Sequence, residues 1–189
     1  MPLTGLAPGT YQLRFGEVDN QGFNQMGVDN VSIEAITPSP VTPFATFTAT
    51  VEIELSPRRD DAFDLKSRFT LGAGSNGIDP LTEDVTLELT GGTGSFITTI
   101  PAGSFTKDKQ GHFEFEGTIN GVDLQAKITR LGSNQFKCEV EGEHADLTGI
   151  ANPVTVTLTI GDDSGSTTVR AKFDHDDDGN RDTEHHERD

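Results

Sequence analysis

The residues with the most distinct chemistry lie near the C-terminus, in Asp174-His-Asp176-Asp-Asp178-Gly179-Asn180-Arg-Asp182. Calcium takes roughly six to eight oxygen ligands, and side-chain oxygens at alternate positions of a tight loop converge on one ion. Asp174, Asp176, Asp178, Asn180 and Asp182 have that spacing, and Gly179, at the sixth position, permits the sharp turn. Ca2+ is therefore the one cofactor these residues suggest, with those five side chains as its ligands. The same composition also describes a solvated acidic tail that holds no metal. His175, His185 and His186 offer nitrogen ligands for a transition metal, yet nothing in the local sequence fixes their geometry.

Elsewhere the candidate chemistry is thin. Gly72-Ala-Gly74-Ser-Asn-Gly77 matches G-x-G-x-x-G after a strand. A dinucleotide site needs a helix next, to aim backbone N–H groups at the pyrophosphate. Ile78-Asp79-Pro80 and a further strand follow instead, so the segment reads as a turn. Cys138, the single cysteine, excludes an internal disulfide. In Phe136-Lys-Cys-Glu-Val140 it shares a face with Phe136 and Val140, as a small buried hydrophobe does. No G-x-S-x-G elbow occurs, and the histidines outside the tail are His112 and His144. Glu52, Glu54, Glu114, Glu116, Glu139 and Glu141 fall on outward strand positions, where solvation accounts for them. No catalytic or cofactor-binding residue is assigned, and the chain is expected not to be an enzyme.

Net charge is −17, and the segment Asp174–Asp189 holds eight acids against Arg181 and Arg188. No Lys/Arg cluster exists, so neither a nucleic acid backbone nor an anionic membrane surface has an electrostatic hold. No apolar run approaches the ~20 residues that span a bilayer. Met1-Pro-Leu-Thr-Gly5 lacks the basic and apolar regions of a signal peptide.

The elements that position these residues are strands. Phe47, Ala49, Val51, Ile53 and Leu55 alternate with Thr48, Thr50, Glu52 and Glu54. Phe63, Leu65, Phe69 and Leu71 repeat the pattern, as do Val85, Leu87 and Leu89, and Val154, Val156, Leu158 and Ile160 against a threonine row. Period-two alternation predicts half-buried antiparallel strands. Asn120-Gly121 predicts a type I′ hairpin turn that pairs Ile119 with Val122, Phe115 with Ala126 and Phe113 with Ile128. A weak repeat relates the strands around residues 63–89 to those around residues 136–158. The expected fold is all-β: an antiparallel β-sandwich, immunoglobulin-like or jelly-roll-like, of about eight or nine strands built from two duplicated units. A closed β-barrel is the alternative. The expected organisation is a β-domain fragment (1–36), a Pro-rich linker (37–43), the sandwich (44–173) and an acidic tail (174–189).

Residues 9–33, Gly-Thr-Tyr-Gln-Leu-Arg-Phe through Gly-Val-Asp-Asn-Val-Ser-Ile, resemble the last two strands of a galactose-binding or lectin-like jelly-roll domain of exported bacterial proteins. That resemblance implies a longer protein, truncated before Met1, whose complete jelly roll could use Asp29 and the Asp19 loop for sugar or calcium. Residues 44–173 resemble a duplicated β-domain of large exported bacterial proteins, which implies a secreted or surface location and no site residues. Residues 174–182 resemble the calcium loops of dockerins, thrombospondin type 3 repeats and EF-hands. They depart from the EF-hand where its twelfth position needs a bidentate Glu, because His185 stands there. The expected role is a non-catalytic structural, spacer or adhesive module with a protein or glycan partner. A carbohydrate-binding module is one alternative, though sugar platforms stack on Trp or Tyr and only Tyr11 is present. A calcium-dependent docking element is the other.

Overall fold

A computed structural model describes residues 41–56 and 60–175. The jelly-roll-like segment, most of the linker, Tyr11, Asp19 and Asp29 lie outside the described residues. Among the described residues twelve strands form: β1 (Thr42–Pro43), β2 (Thr46–Leu55), β3 (Asp61–Thr70), β4 (Val85–Gly91), β5 (Gly94–Ile100), β6 (Thr106–Lys107), β7 (Phe113–Ile119), β8 (Val122–Arg130), β9 (Gln135–Ala145), β10 (Val154–Ile160), β11 (Asp163–Val169) and β12 (Lys172–His175). Nine are seven residues or longer, in line with the expected number; β1, β6 and β12 are short pieces at sheet edges.

Local chemistry sets the pairing first. Asn120 and Gly121 hold φ of 53° and 88°, as a type I′ turn requires. The β7–β8 register places Ile119 opposite Val122, Phe115 opposite Ala126 and Phe113 opposite Ile128, as the sequence predicts. Gly92 and Gly161, at φ of 58° and 57°, open the two-residue turns that join β4 to β5 and β10 to β11.

These hairpins assemble into two sheets. One has the order β1-β11-β10-β4-β5, the other β12-β2-β3-β9-β8-β7-β6. They pack face to face as a sandwich, and no barrel closes. The strands β2-β3 and β4-β5 divide between the sheets as β8-β9 and β10-β11 do, and the two sets meet through β3–β9 and β4–β10. Between the sheets lie the apolar positions of the alternation, with Leu65, Leu89, Ile128, Val156, Leu158 and Ile160 fully buried. Each such side chain contributes roughly 1.5–3 kcal/mol by leaving water.

Glycines admit two aromatic rings. A Cβ on Gly142 would lie 2.3 Å from the ring of Phe63, its cross-strand partner. One on Gly165 would lie 2.4 Å from the ring of Phe44, which stacks on Phe69 at 4.4 Å between centroids. Phe44 thereby anchors the incoming chain to the core.

Candidate functional site

Asp174 sits in β12 opposite Glu54 of β2, and Lys172 Nζ donates to its Oδ2 at 2.7 Å. That hydrogen bond, with the charges of Asp174 and Glu52, raises the Lys172 pKa above its ordinary value. Asp176, Asp178, Asn180 and Asp182 lie outside the described residues, as do His185 and His186.

Among the described residues, Asp108, His112 and Glu114 offer ligand atoms within 4.8 Å of one another, a carboxylate/imidazole cluster that could hold a metal ion. The turn before β7 builds it. Asp108 Oδ1 accepts the backbone N–H groups of Gln110 and His112 at 2.8 Å, and Oδ2 meets His112 Nδ1 at 2.9 Å. Partial desolvation pushes the Asp108 pKa up, but those N–H donors and the His112 ring outweigh it and hold the carboxyl below its ordinary value. Lys127 Nζ donates to Glu114 Oε1 at 2.6 Å, so an ammonium already stands beside the ligand set. The spacing Asp-x-x-x-His-x-Glu was the available signal; it went unused because only the fold of the turn brings Asp108 back over His112.

The two outer faces differ in chemistry. On the seven-stranded sheet, the cross-strand row Glu114–Lys127–Glu139–Lys66 adjoins the row Glu116–Gln125–Glu141–Asp64–Glu52–Lys172. The outward glutamates expected to be merely solvated are thus interleaved with lysines. Asp64 and Glu114 hydrogen-bond Lys66 and Lys127 respectively and raise the pKa of each lysine. A shallow groove runs over this face beside Phe115. On the five-stranded sheet, the rows are Ser164–Thr159–Thr86–Thr99, Ser166–Thr157–Glu88–Ile97 and Thr168–Thr155–Thr90–Ser95. Hydroxyls pair across strands at 2.8–3.1 Å, as in Thr159–Ser164 and Thr157–Ser166. Glu88 is the one charged side chain in those three rows.

The path of the chain gives a third feature. β1 pairs parallel with β11, with Thr42 N–H donating to Asp162 C=O at 2.6 Å and Phe44 N–H to Ser164 C=O at 2.7 Å. β12 pairs parallel with β2, from Lys172 opposite Glu52 to His175 opposite Leu55. The chain therefore arrives at the Thr46 end of β2 and leaves at its Leu55 end, about 30 Å away at ~3.3 Å per residue. The first long strand and the last strand are hydrogen-bonded neighbours.

Compared with family models, curated proteins and solved structures, the chain matches none. Cys138 is fully buried, and that burial, with the charge of Glu139, pushes its thiol up to about 12, leaving no thiolate at neutral pH. Gly72–Gly77 forms a turn with no helix after it; Ser75 Oγ donates to the buried Asp163 at 2.8 Å. No helix among the described residues is long and apolar enough to cross a membrane.

Proposed function

We propose that residues 42–175 form a non-catalytic spacer module of a secreted or cell-surface bacterial protein, transmitting tension between the segments on either side. The observation that carries this reading is the direct parallel pairing of β2 with β12, with the chain entering and leaving at opposite ends of that pair. A pull on the two ends slides β12 along β2, so the hydrogen bonds of the patch are strained together. Hairpin strands parted at their open end lose bonds one pair at a time. Phe44, stacked on Phe69, and the β1–β11 pair secure the incoming segment in the opposite sheet.

Single-molecule pulling tests this. Gripped at its ends, the full chain is expected to unfold at forces several-fold above those that open it when gripped at Lys109 and Gly132, which peels β7 from β8. Forced unfolding reads the barrier rather than equilibrium stability, so the same protein serves as its own control. Equal forces in the two geometries would remove the basis for a tension-bearing role. The finer expectation of bound Ca2+ belongs to the exit end, because Asp174 begins the Asp174–Asp182 pattern within β12 itself.

A further inference from the structure

The four sheet edges are not protected alike. β1 is two residues long and contains Pro43; β6 is two residues long and contains Lys107; β12 carries Lys172 and Asp174. Shortness, proline and charge are the means by which proteins keep edges from pairing with other chains. β5, Gly-Ser-Phe-Ile-Thr-Thr-Ile, has none of them: seven residues, no charge, no proline, and an unbroken register against β4. At the other end of the same sheet, β1 pairs with Asp163 and Ser164 of β11, whereas no residue of β5 has a strand partner on its outer side among the described residues. Ile97, at the middle of β5, is 63% exposed.

The open side of β5 can be read from its turn. The two-residue loop Gly92-Thr93 makes Gly91 and Gly94 a hydrogen-bonded pair, so Phe96, Thr98 and Ile100 also bond to β4. Ser95, Ile97 and Thr99 therefore aim their N–H and C=O groups away from β4. We propose that a second copy of this chain pairs antiparallel with this edge, Ile97 opposite Ile97, joining two five-stranded sheets into one of ten strands. The segment is self-complementary in this register. Ser95 meets Thr99 of the other copy, each opposed pair exchanges two N–H···O bonds, and the two exposed Ile97 side chains cover each other.

Charge decides in favour of a second copy despite the net charge of −17. The hydroxyl rows leave Glu88 as the nearest charge on that face, next to Ile97 on β4. Across the joined sheet the two Glu88 residues stand three strands apart, ~14 Å at the usual strand spacing, beyond the Debye length of ~8 Å at physiological salt. A seven-residue edge buries less than the ~1,200 Å2 of a stable interface, so the dimer is a weak one. This inference rests on the sheet edges alone, independently of the spacer reading.

Sedimentation of the full chain over a concentration series to about 0.5 mM tests it at the weak end of specific affinities. The wild type is expected to shift from monomer to dimer, more so at higher salt, because the remaining repulsion between acidic copies is screened. Ile97→Lys is expected to weaken association at least ten-fold. Ile97→Pro removes an N–H the monomer does not use, so its thermal melt should stay close to wild type while dimer is lost. On association the amides of Ser95, Ile97 and Thr99 should exchange more slowly. A chain that stays monomeric throughout, or a dimer unmoved by both substitutions, overturns the proposal.

Discussion

Asp163 stands in surroundings its neighbours in sequence do not announce. Thr-Ile-Gly-Asp-Asp-Ser reads as a solvated hairpin turn, yet Asp163 is fully buried, with Oδ2 accepting from Ser75 and Oδ1 without a partner. Burial raises its pKa, Ser75 opposes the rise, and the charge of Asp162 adds to it. With the folded pKa above the unfolded value of ~3.9, the group's stabilising contribution is complete below that pH. It is lost as pH rises through the folded pKa. Asp163→Asn is therefore expected to gain on the wild type between pH 4 and 7, by roughly 1–3 kcal/mol at neutrality, the usual cost of an unsatisfied buried polar group. Urea melts across that range check it; a difference independent of pH would mean that the carboxyl is solvated. Asp174 poses the opposite question, since Lys172 already engages it. Calorimetric calcium titration should compare the full chain with one ending at His175, which keeps β12 whole. Heat saturating near one ion per chain and lost on truncation would establish the Asp174–Asp182 loop. No saturable heat at ~1 mM calcium, where extracellular loops bind, would leave a solvated tail.

Among the elements, the β3–β9 pair at the centre of the seven-stranded sheet is where packing is least forgiving. Gly142 faces Phe63, and its missing Cβ is the space the ring fills. Gly142→Ala is expected to destabilise by about 1–3 kcal/mol, the usual cost of overpacking a core, measured as a lower urea midpoint with unchanged slope. β2, β3, β4, β9 and β10 were legible because seven to eleven residues show several periods of alternation, and the β7–β8 register followed from Asn120-Gly121 alone. β5 and β11, whose apolar residues do not alternate, were not legible. β1, β6 and β12 were not, since two to four residues carry no period. Their pairing depends on partners far along the chain: Asp163 for Thr42, Glu52 for Lys172. The expected bounds of 44 and 173 miss those pairs for that reason. Asp61 was hidden similarly. Its carboxylate accepts the backbone N–H groups of Ser56 at 2.8 Å and Leu147 at 3.1 Å, the second a partner 86 residues away.

At the scale of the whole molecule, charge and architecture separate cleanly. The seven-stranded sheet carries interleaved acids and lysines on its outer face, whereas the five-stranded sheet carries hydroxyls, so the two faces offer solvent different chemistry. The sequence by itself determined the all-β class, the inward and outward faces of the strands whose apolar residues alternate, the buried thiol and the Asn120-Gly121 turn. Each depends on side-chain periodicity or on backbone preferences within a few residues. Only the tertiary structure decided for an open sandwich over a barrel, joined the first long strand to the last, left β5 with no outer strand partner among the described residues and buried Asp163 beneath Ser75. Those outcomes depend on which strands become neighbours, and neighbours are chosen by the packing of two apolar faces against each other. That choice is made across the entire chain and leaves no local mark at the residues it brings together.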